Sequence, residues 1–467
     1  MKQADLAAKI KFLALATLIA FCVMPFYVGY WAVFRERDLR GHPLNKRAQA
    51  RLATTKPGRL LAADGEEILG RESTGRNKWK RVYDSPRTFC HLTGYSPETA
   101  LQLSLRQLLS EPANQQDLLA LFRNPEPVGN DVELTISQPA QALARELLAD
   151  QRGAVVALDP RTGAVLVLAG APTFDPAEVT RTTDNWELFS TDPSAPGLNR
   201  AVQGLYPPGS IFKIITAAAA LESGAVSVDT EYTCPGAIRI GDRELRCWKS
   251  DGHGTLNLAG ALAQSCNVYF AHLGETLGTQ ALSKYAQQTG LFDKPGLPLP
   301  YNTMLASRLE TRQTGDLAAA SYALGQGDLA ITPFAAAQIA AAVANGGVLM
   351  EPQLIKAVIS PDQQVRQRLQ PAVRRRGLRE STAHLLAGMM ETAVESGTGQ
   401  PASLPNIRVA GKTGSAQAST GEAHAWFIGF APAQDPRVAV AVVIEHGGTG
   451  GGAAAPIARD IMAKLLE

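Results

Sequence analysis

The stretch Pro207-Pro-Gly-Ser210-Ile-Phe-Lys213 stands directly before an unbroken run of helix-forming residues. This position predicts that Ser210 lies at a helix N-terminus with Lys213 beside it, because residues three apart share a helix face. A serine hydroxyl needs a base to become a nucleophile, and a buried lysine near another cation has its pKa lowered enough to serve. Taken alone, the spacing also fits an ordinary capped helix start with a surface lysine. Further motifs are needed to distinguish a catalytic pair from this alternative.

A second polar pair, Ser265 and Asn267, flanks Cys266 within the region Ala259 to Leu273, which the pattern predicts to be helical. The Ser265 hydroxyl can relay a proton toward a leaving amine, and the Asn267 amide can hold both Lys213 and a substrate carbonyl. A polar pair at a helix end is the alternative interpretation.

The third element, Lys412-Thr413-Gly414, lies in a predicted strand from Val409 to Ser415. Alternation along a strand places Lys412 and Gly414 on one side and Thr413 on the other. Lys412 then supplies positive charge beside the serine and the first lysine, Thr413 can donate to a substrate carboxylate, and Gly414 leaves room for a ligand backbone. By itself the tripeptide also fits a glycine bulge in an ordinary strand.

The regions around these elements predict an α+β domain. Gly153–Leu158 and Ala164–Ala169 are apolar strand candidates joined by a short turn, which indicates a hairpin. Strands at both ends of the domain, with helices between them, indicate an antiparallel sheet with a helical body beside it. The other predicted strands are Val132–Ile136, Val409–Ser415, Ala425–Ala431 and Val438–Ile444, and the predicted helices are Pro139–Asp150, Ile214–Ser223, Leu258–Leu277, Pro333–Ala344 and Ala455–Glu467.

The three elements occur in the order Ser-x-x-Lys, Ser-x-Asn, Lys-Thr-Gly, and in this order the sequence resembles the penicillin-binding proteins and β-lactamases. The resemblance covers nearly the whole chain from Asp131 onward and implies the penicilloyl-serine transferase fold. The further stretches that carry it are Leu134-Thr-Ile136, Gly153-Ala-Val-Val-Ala-Leu-Asp-Pro160, Phe174-Asp-Pro176, Asn199-Arg-Ala-Val-Gln-Gly204, Gly325-Gln-Gly327, Thr332-Pro333 and Trp426-Phe-Ile-Gly-Phe-Ala-Pro432.

The resemblance also implies a two-step acyl transfer that requires no cofactor. Ser210, activated by Lys213 as general base, attacks the D-Ala-D-Ala carbonyl of a peptidoglycan stem peptide and expels D-alanine. An amine of a neighbouring stem then attacks the acyl-enzyme, and β-lactams acylate the same serine. The implied proton-relay, carboxylate-binding and substrate-binding residues are Ser265, Asn267, Lys412, Thr413, Gly414 and Ser415, with the backbone amides of Ser210 and Ser415 as the oxyanion hole.

Within the family the chain resembles the class B, monofunctional D,D-transpeptidases. The region before the catalytic part is short and lacks the Glu-Asp motif of a lysozyme-like glycosyltransferase. A D,D-carboxypeptidase or a β-lactamase passes the acyl group to water instead, and the sequence offers no assignable glutamate to activate that water. A non-enzymatic β-lactam sensor, the alternative of another class, needs a cytoplasmic output domain, whereas only about eleven residues precede the apolar segment.

That segment, Phe12–Phe34, contains no charged residue and is long enough to cross a bilayer as a helix. Its length and aromatic end favour an uncleaved anchor over a cleaved signal peptide, whose apolar region is shorter and ends in small residues. Basic residues on both sides leave the orientation undecided, so an extracytoplasmic catalytic domain is expected from its chemistry. We expect residues 1–11 in the cytoplasm, 12–34 as a single span in the cell membrane, 35–130 as a pedestal and 131–467 as the transpeptidase domain.

The predicted pedestal and the net charge of the chain indicate which partners to expect. Arg59-Leu-Leu-Ala-Ala-Asp-Gly65 resembles the pedestal motif of class B proteins but departs from the usual Arg-Gly-x-Ile at its start. Class B membership implies a multispanning SEDS-type glycan polymerase as the membrane partner. The net charge of +2 and the lack of a long Lys/Arg block argue against nucleic acid.

Cys234, Cys247, His253 and Cys266 form a further pattern, Cys-x12-Cys-x5-His-x12-Cys, whose last cysteine lies in the second catalytic motif. Three thiolates and an imidazole suit a closed tetrahedral zinc site. A Cys234–Cys247 disulfide across a hairpin, with Cys266 as a small buried residue, fits the sequence equally. Some elongation-type relatives place zinc ligands in this region, and His253 and Cys266 match those positions. A bound zinc is expected to be structural and to brace the loop of the second motif.

Overall fold

The computed structural model describes residues 2–35, 55–75, 78–110, 127–299, 308–309, 315–368, 370–418 and 420–467. Helices and strands are numbered here in chain order. The α-helices are α1 (Lys2–Phe34), α2 (Pro86–Thr93), α3 (Ala100–Ser104), α4 (Arg106–Ser110), α5 (Gln138–Leu148), α6 (Pro176–Val179), α7 (Thr183–Thr191), α8 (Arg200–Gln203), α9 (Lys213–Ser223), α10 (Leu258–Ala263), α11 (Asn267–Gln288), α12 (Asp316–Ala323), α13 (Pro333–Ala344), α14 (Glu380–Glu395) and α15 (Ala455–Leu466). Short 3-10 turns span Gly209–Phe212 and Gln400–Ala402, and a π-helical turn spans Gly450–Ala454.

The strands fall into two larger sheets and several two-stranded pairs. The strands are β1 (Leu60–Leu61), β2 (Glu67–Gly75), β3 (Lys78–Tyr83), β4 (Asp131–Leu134), β5 (Gly153–Leu158), β6 (Val165–Ala171), β7 (Tyr232–Cys234), β8 (Ala237–Ile240), β9 (Arg243–Arg246), β10 (Gly254–Leu256), β11 (Arg308–Leu309), β12 (Leu329–Ala330), β13 (Val348–Met350), β14 (Ile355–Ile359), β15 (Val365–Arg368), β16 (Val373–Arg376), β17 (Ala410–Ala416), β18 (His424–Ala431) and β19 (Val438–Ile444).

The central sheet has the strand order β17-β18-β19-β5-β6, and each neighbouring pair is antiparallel. Its strands come from both ends of the catalytic region, and β19 joins the two groups by pairing Ala441 with Val156 of β5. The predicted hairpin of β5 and β6 is present. The predicted α+β architecture is confirmed.

Both faces of this sheet are covered, which explains why β5, β6 and β19 are continuous apolar runs. Every residue of β19 is buried. Ala441 and Val443 belong to the core cluster that contains Phe334 of α13, whereas Val440 and Val442 belong to a second cluster with residues of α5 and α15. Burying one valine side chain contributes about 2 kcal/mol, so the two cores together hold the sheet between its helices.

A six-stranded sheet with the order β15-β14-β4-β1-β2-β3 connects the N-terminal strands to the catalytic region. Strand β4 pairs parallel with β1 and antiparallel with β14. The buried Asp131 carboxylate accepts hydrogen bonds from Arg59 Nε at 3.0 Å and Nη2 at 2.6 Å, and this pairing offsets the cost of burying its charge. The predicted boundary at 130/131 therefore falls inside a shared sheet, and the parts of the predicted pedestal at 36–54, 76–77 and 111–126 lie outside the described residues.

The single helix predicted over Leu258–Leu277 is wrong, because α10 ends at Ala263 and α11 begins at Asn267. Ser265 lies between them with a φ of 52°, in the left-handed region that only a few non-glycine residues adopt. The other predicted helices of the catalytic region are confirmed within a few residues at their ends.

Helix α1 contains the apolar segment. Within it, Lys9–Trp31 is long and apolar enough to cross a membrane, and none of that window is buried against the rest of the protein. Among the described helices, no other one meets both conditions.

Candidate active site

The Ser210 turn is held from two sides. Ser210 lies in the 3-10 turn that leads directly into α9, so the predicted position at a helix start is confirmed. Trp426 of β18 donates its Nε1–H to Pro207 O at 2.9 Å, and Gly209 N donates to Gly325 O at 2.9 Å. A Cβ on Gly325 would lie 2.1 Å from Gly209 O, so the approach requires glycine there. The serine is thereby fixed at the floor of an open cleft.

Lys213, the first residue of α9, is completely buried beneath this turn. Its Nζ donates to Asn267 Oδ1 at 2.8 Å, to Ser265 O at 2.9 Å and to Ser265 Oγ at 3.3 Å. Burial is the largest influence on its pKa and lowers it to about 7. The amine can therefore exchange a proton near neutral pH, as a general base requires.

The break between α10 and α11 presents Ser265 and Asn267 to that amine. The left-handed conformation of Ser265 ends α10, and Cys266 caps α11 by accepting a hydrogen bond from Tyr269 N through Sγ at 3.4 Å. The Ser265 carbonyl is then free of helical bonding and accepts from Lys213. The second motif thus meets the first as predicted, through a turn rather than through a continuous helix.

Strand β17 forms the opposite wall and lies at the edge of the central sheet. A Cβ on Gly414 would lie 3.1 Å from Ile211 Cγ2 and 3.1 Å from Pro208 O, so glycine permits β17 to lie against the Ser210 turn. The Lys412 amine is fully buried, and its burial, followed by the nearby charge of Lys213, lowers its pKa well below the usual value. The two buried amines therefore disfavour carrying a charge at the same time.

Thr413 has a partner that the sequence reasoning missed. Its Oγ1 lies 2.6 Å from Thr398 Oγ1, and Thr398 N donates to Ala263 O at 3.2 Å. Thr398 thus links β17 to the end of α10, the helix that precedes the second motif. The small-residue stretch Ser396-Gly-Thr-Gly399 between α14 and the next strand is the sequence signal that could have indicated a close approach there.

The cleft between these walls has a volume of about 980 Å³. It brings together Ser210, Ser265, Asn267 and the Thr413–Ser415 segment, whereas the two lysines lie buried behind its surface. The rest of its lining consists of residues that the three motifs do not include, namely Glu244, Leu245, Arg246, Trp248, Ser321, Leu324, Gln326, Thr398, Gln417, Thr449, Gly450, Gly451 and Gly452.

Cys234, Cys247, His253 and Cys266 also come together, directly behind the second motif. Their candidate ligand atoms all lie within 4.8 Å of one another. His253 Nδ1 is 3.7 Å from Cys234 Sγ and 3.4 Å from Cys247 Sγ, and the Sγ atoms of Cys247 and Cys266 are 4.0 Å apart. All five cysteines of the chain are free thiols.

One thiol of this cluster, that of Cys247, is poised to lose a proton. A hydrogen bond between Cys247 and Cys266 is the largest influence on both: it lowers the pKa of Cys247 to about 4 and raises the pKa of Cys266. The His253 Nε2 atom is buried without a partner among the described residues, whereas Nδ1 faces the sulfur atoms. This donor set fits a soft, tetrahedral cation.

Comparison with known proteins agrees with this geometry. The family model described as the penicillin binding protein transpeptidase domain matches residues 153–463. The chain belongs to this family. Its predicted penicilloyl-serine transferase fold and its class B membership are confirmed by the relatives that follow.

The chain is 33% identical to the peptidoglycan D,D-transpeptidase PbpA of Mycolicibacterium smegmatis over 97% of this chain and 98% of that protein. It is also 33% identical to the peptidoglycan D,D-transpeptidase MrdA of Acinetobacter baumannii, over 73% of this chain and 55% of that protein. Among solved structures, the ceftriaxone acyl-enzyme complex of penicillin-binding protein A from M. tuberculosis has a TM-score of 0.82 and 31% identity, covering 89% of this chain and 99% of that chain.

Proposed function

We propose that this penicillin-binding protein is a serine D,D-transpeptidase that cross-links peptidoglycan stem peptides through an acyl-enzyme on Ser210. The observation that carries the proposal is the buried Lys213 amine, which is hydrogen-bonded to Ser265 and Asn267 beneath the Ser210 turn. The relatives named as D,D-transpeptidases and the β-lactam acyl-enzyme structure support the same reaction.

In the acylation step, the neutral Lys213 amine accepts the proton of Ser210 Oγ as that oxygen attacks the carbonyl between two D-alanines. Ser265, whose Oγ is 3.3 Å from Lys213 Nζ, then relays a proton to the departing D-alanine amine. The backbone N–H groups of Ser210 and Ser415 stabilise the negative charge on the carbonyl oxygen. The C–N bond breaks and the acyl group stays on the serine.

The substrate is oriented by the opposite wall. Thr413 donates to the terminal carboxylate, and its bond to Thr398 fixes the direction of its hydroxyl. The extended peptide lies along the edge strand β17, where Gly414 is part of the cleft lining. In the second step an amine of a neighbouring stem attacks the acyl carbonyl and the ester bond to Ser210 Oγ breaks. Lys213 accepts the amine proton, and a proton returns to Ser210 Oγ, which regenerates the free enzyme.

The first test is the lifetime of the benzylpenicillin adduct on the purified protein. Intact-mass spectrometry over time is expected to show one covalent adduct that persists, and peptide mapping is expected to locate it on the Ser210 peptide. An adduct that forms and rapidly disappears would favour a β-lactamase, because water would then release the acyl group. Absence of any adduct would refute the acyl-enzyme mechanism.

We also propose that α1 anchors the catalytic region on the outer side of the cell membrane. None of its apolar window is buried against the rest of the protein. Peptidoglycan, whose cross-linking is the proposed reaction, lies outside the cytoplasmic membrane. The same exposed helix and the N-terminal sheet offer a SEDS-type glycan polymerase a surface. Co-purification of such a polymerase from detergent extracts with the full chain but not with a chain lacking residues 2–34 is expected; equal recovery would argue against this role of α1.

We propose that Cys234, Cys247, His253 and Cys266 hold a structural zinc ion. Zinc–sulfur and zinc–nitrogen bonds of about 2.3 and 2.0 Å predict edges of about 3.5 to 3.8 Å in a tetrahedron. Three of the six edges, at 3.4, 3.7 and 4.0 Å, bracket that range, and all six are within 4.8 Å. When bound, the ion would supply a cross-link between the β7 and β9 strand ends and Cys266, which lies between Ser265 and Asn267.

Metal analysis tests this proposal without any activity measurement. The purified protein is expected to contain about one zinc per chain, and Cys247→Ser is expected to lose most of it and to melt several degrees lower, because metal binding contributes to folding stability. Cys22→Ser, which removes an exposed thiol in α1, is the matched control and should retain the metal. A metal-free protein with a Cys234–Cys247 disulfide in its peptide map would contradict the zinc site.

A further inference from the structure

The cleft wall that faces β17 is built by residues on either side of a cluster cysteine. Strands β8 and β9 form an antiparallel hairpin, and the chain then passes through Cys247 into Trp248. Cys247 is buried and contacts His253, whereas Arg246 and Trp248 line the cleft. The cluster of Cys234, Cys247, His253 and Cys266 therefore anchors the segment from which the two flanking residues reach the cleft.

Both flanking residues are tied to the second catalytic motif. Trp248 Nε1 donates to Gln264 O at 3.0 Å, which leaves the ring 59% exposed beside the cleft. Asn267 Nδ2 donates to Arg246 O at 3.5 Å, so the backbone of Arg246 is in contact with an active-site amide. The position of this wall is therefore coupled to the position of the catalytic groups.

The charged side chains of the cleft lining lie on this wall. Among the described residues that line it, only Glu244 and Arg246 are charged. Their side chains lie on the same face of β9, and Glu244 Oε1 is 3.0 Å from Arg246 Nε. The guanidinium carries further N–H donors on its two terminal nitrogens, and its side chain is 79% exposed.

We propose that Arg246 binds a second carboxylate of the donor stem peptide, on a residue that precedes the D-Ala-D-Ala terminus. The inference rests on the proposed function, in which the terminal carboxylate is taken by Thr413 on the opposite wall. Glu244 occupies Nε and leaves the two terminal nitrogens to form a bidentate pair with a carboxylate. Arg246 is thus a specificity-determining residue. The Glu244 carboxylate repels the carboxylate of the ligand and so reduces the preference of the protein for a charged stem peptide.

The test uses two peptide thioesters that share the same D-alanyl thioester terminus. They differ only in whether the side chain of the preceding residue ends in a carboxylate or in its primary amide. We expect the wild-type protein to favour the carboxylate by about fivefold in kcat/KM, as for an exposed charge pair of about 1 kcal/mol, and to lose part of this preference at high salt.

The variants make the prediction specific to Arg246. Arg246→Gln should bring the kcat/KM ratio of the two thioesters close to one, Arg246→Lys should retain part of it, and Glu244→Gln should raise it. Arg243→Gln, which removes an exposed arginine of β9 that is not part of the cleft lining, is the matched control and should keep the wild-type ratio. A ratio that is the same in wild type and Arg246→Gln would overturn the inference alone. Failure of the wild type to turn over either thioester or to form a benzylpenicillin adduct would overturn the proposed function as well.

Discussion

Ser210→Ala is expected to abolish covalent labelling by benzylpenicillin, the largest effect of any single change in this protein. The alanine has no oxygen with which to form the acyl bond, while the turn around it keeps its anchors at Pro207 and Gly209. In the serine protease subtilisin, loss of the nucleophile reduces turnover by a factor on the order of 10⁶. Intact-mass spectrometry after prolonged incubation checks the result directly.

The matched control is Ser223→Ala at the other end of α9. The Ser223 hydroxyl donates only to backbone carbonyls, those of Ala219 and Ala220, and lies outside the cleft lining. This variant should be labelled as fast as the wild type. Labelling of Ser210→Ala at the same mass and rate would mean that another residue is the nucleophile, and the whole assignment of Lys213 and Ser265 would fall with it.

Much of the catalytic fold could be predicted from the sequence because its decisive features are local. Strand β19 is buried on both faces, so it appears in the sequence as seven consecutive apolar residues. The helix-forming run after Ser210 and the glycine in Lys412-Thr413-Gly414 likewise carry their structural reason within a few residues. For this reason the central sheet, the Ser210 helix start and the meeting of the three motifs could be predicted.

The features that could not be predicted depend on contacts distant in sequence. Ser265 adopts a left-handed conformation, although no glycine or asparagine marks the position, because its carbonyl is taken by a lysine 52 residues away. Strand β4 lies between β1 and β14, a pairing that no local pattern specifies. Arg246 belongs to a short, exposed strand whose composition gives no sign that it faces the active site.

The second catalytic motif and the cluster of Cys234, Cys247, His253 and Cys266 share one segment of chain, Ser265-Cys266-Asn267. Cys266 faces the cluster, while its neighbours Ser265 and Asn267 hold the Lys213 amine. Because Ser265 and Asn267 flank Cys266, a displacement of the cysteine would be transmitted to both hydrogen-bond partners of the Lys213 amine. We therefore expect the cluster to help to hold Ser265 and Asn267 in place around Lys213. This expectation does not depend on the role proposed for Arg246.

Lys213 variants should show the second largest loss, in the range of 10² to 10⁴ expected for removal of a general base. Lys213→Ala removes the amine and leaves Asn267 Oδ1 and Ser265 O without their donor. Lys213→Arg is the sharper change, because a guanidinium keeps the positive charge but does not lose its proton near neutral pH. Both should be acylated far more slowly than the wild type, whereas Lys249→Arg, an exposed lysine outside the cleft lining, should not.

The same amine predicts the pH dependence of acylation. Burial lowers the pKa of Lys213 to about 7, and the neutral form is the one that accepts the serine proton. The neutral fraction therefore rises from about a tenth at about pH 6 to about nine tenths at about pH 8, and the acylation rate should rise roughly tenfold over this interval and then level off. Stopped-flow acylation by a chromogenic β-lactam measures the profile. A rate that is flat or falls with rising pH would show that the lysine is charged during the reaction and acts by electrostatic attraction instead of as a base.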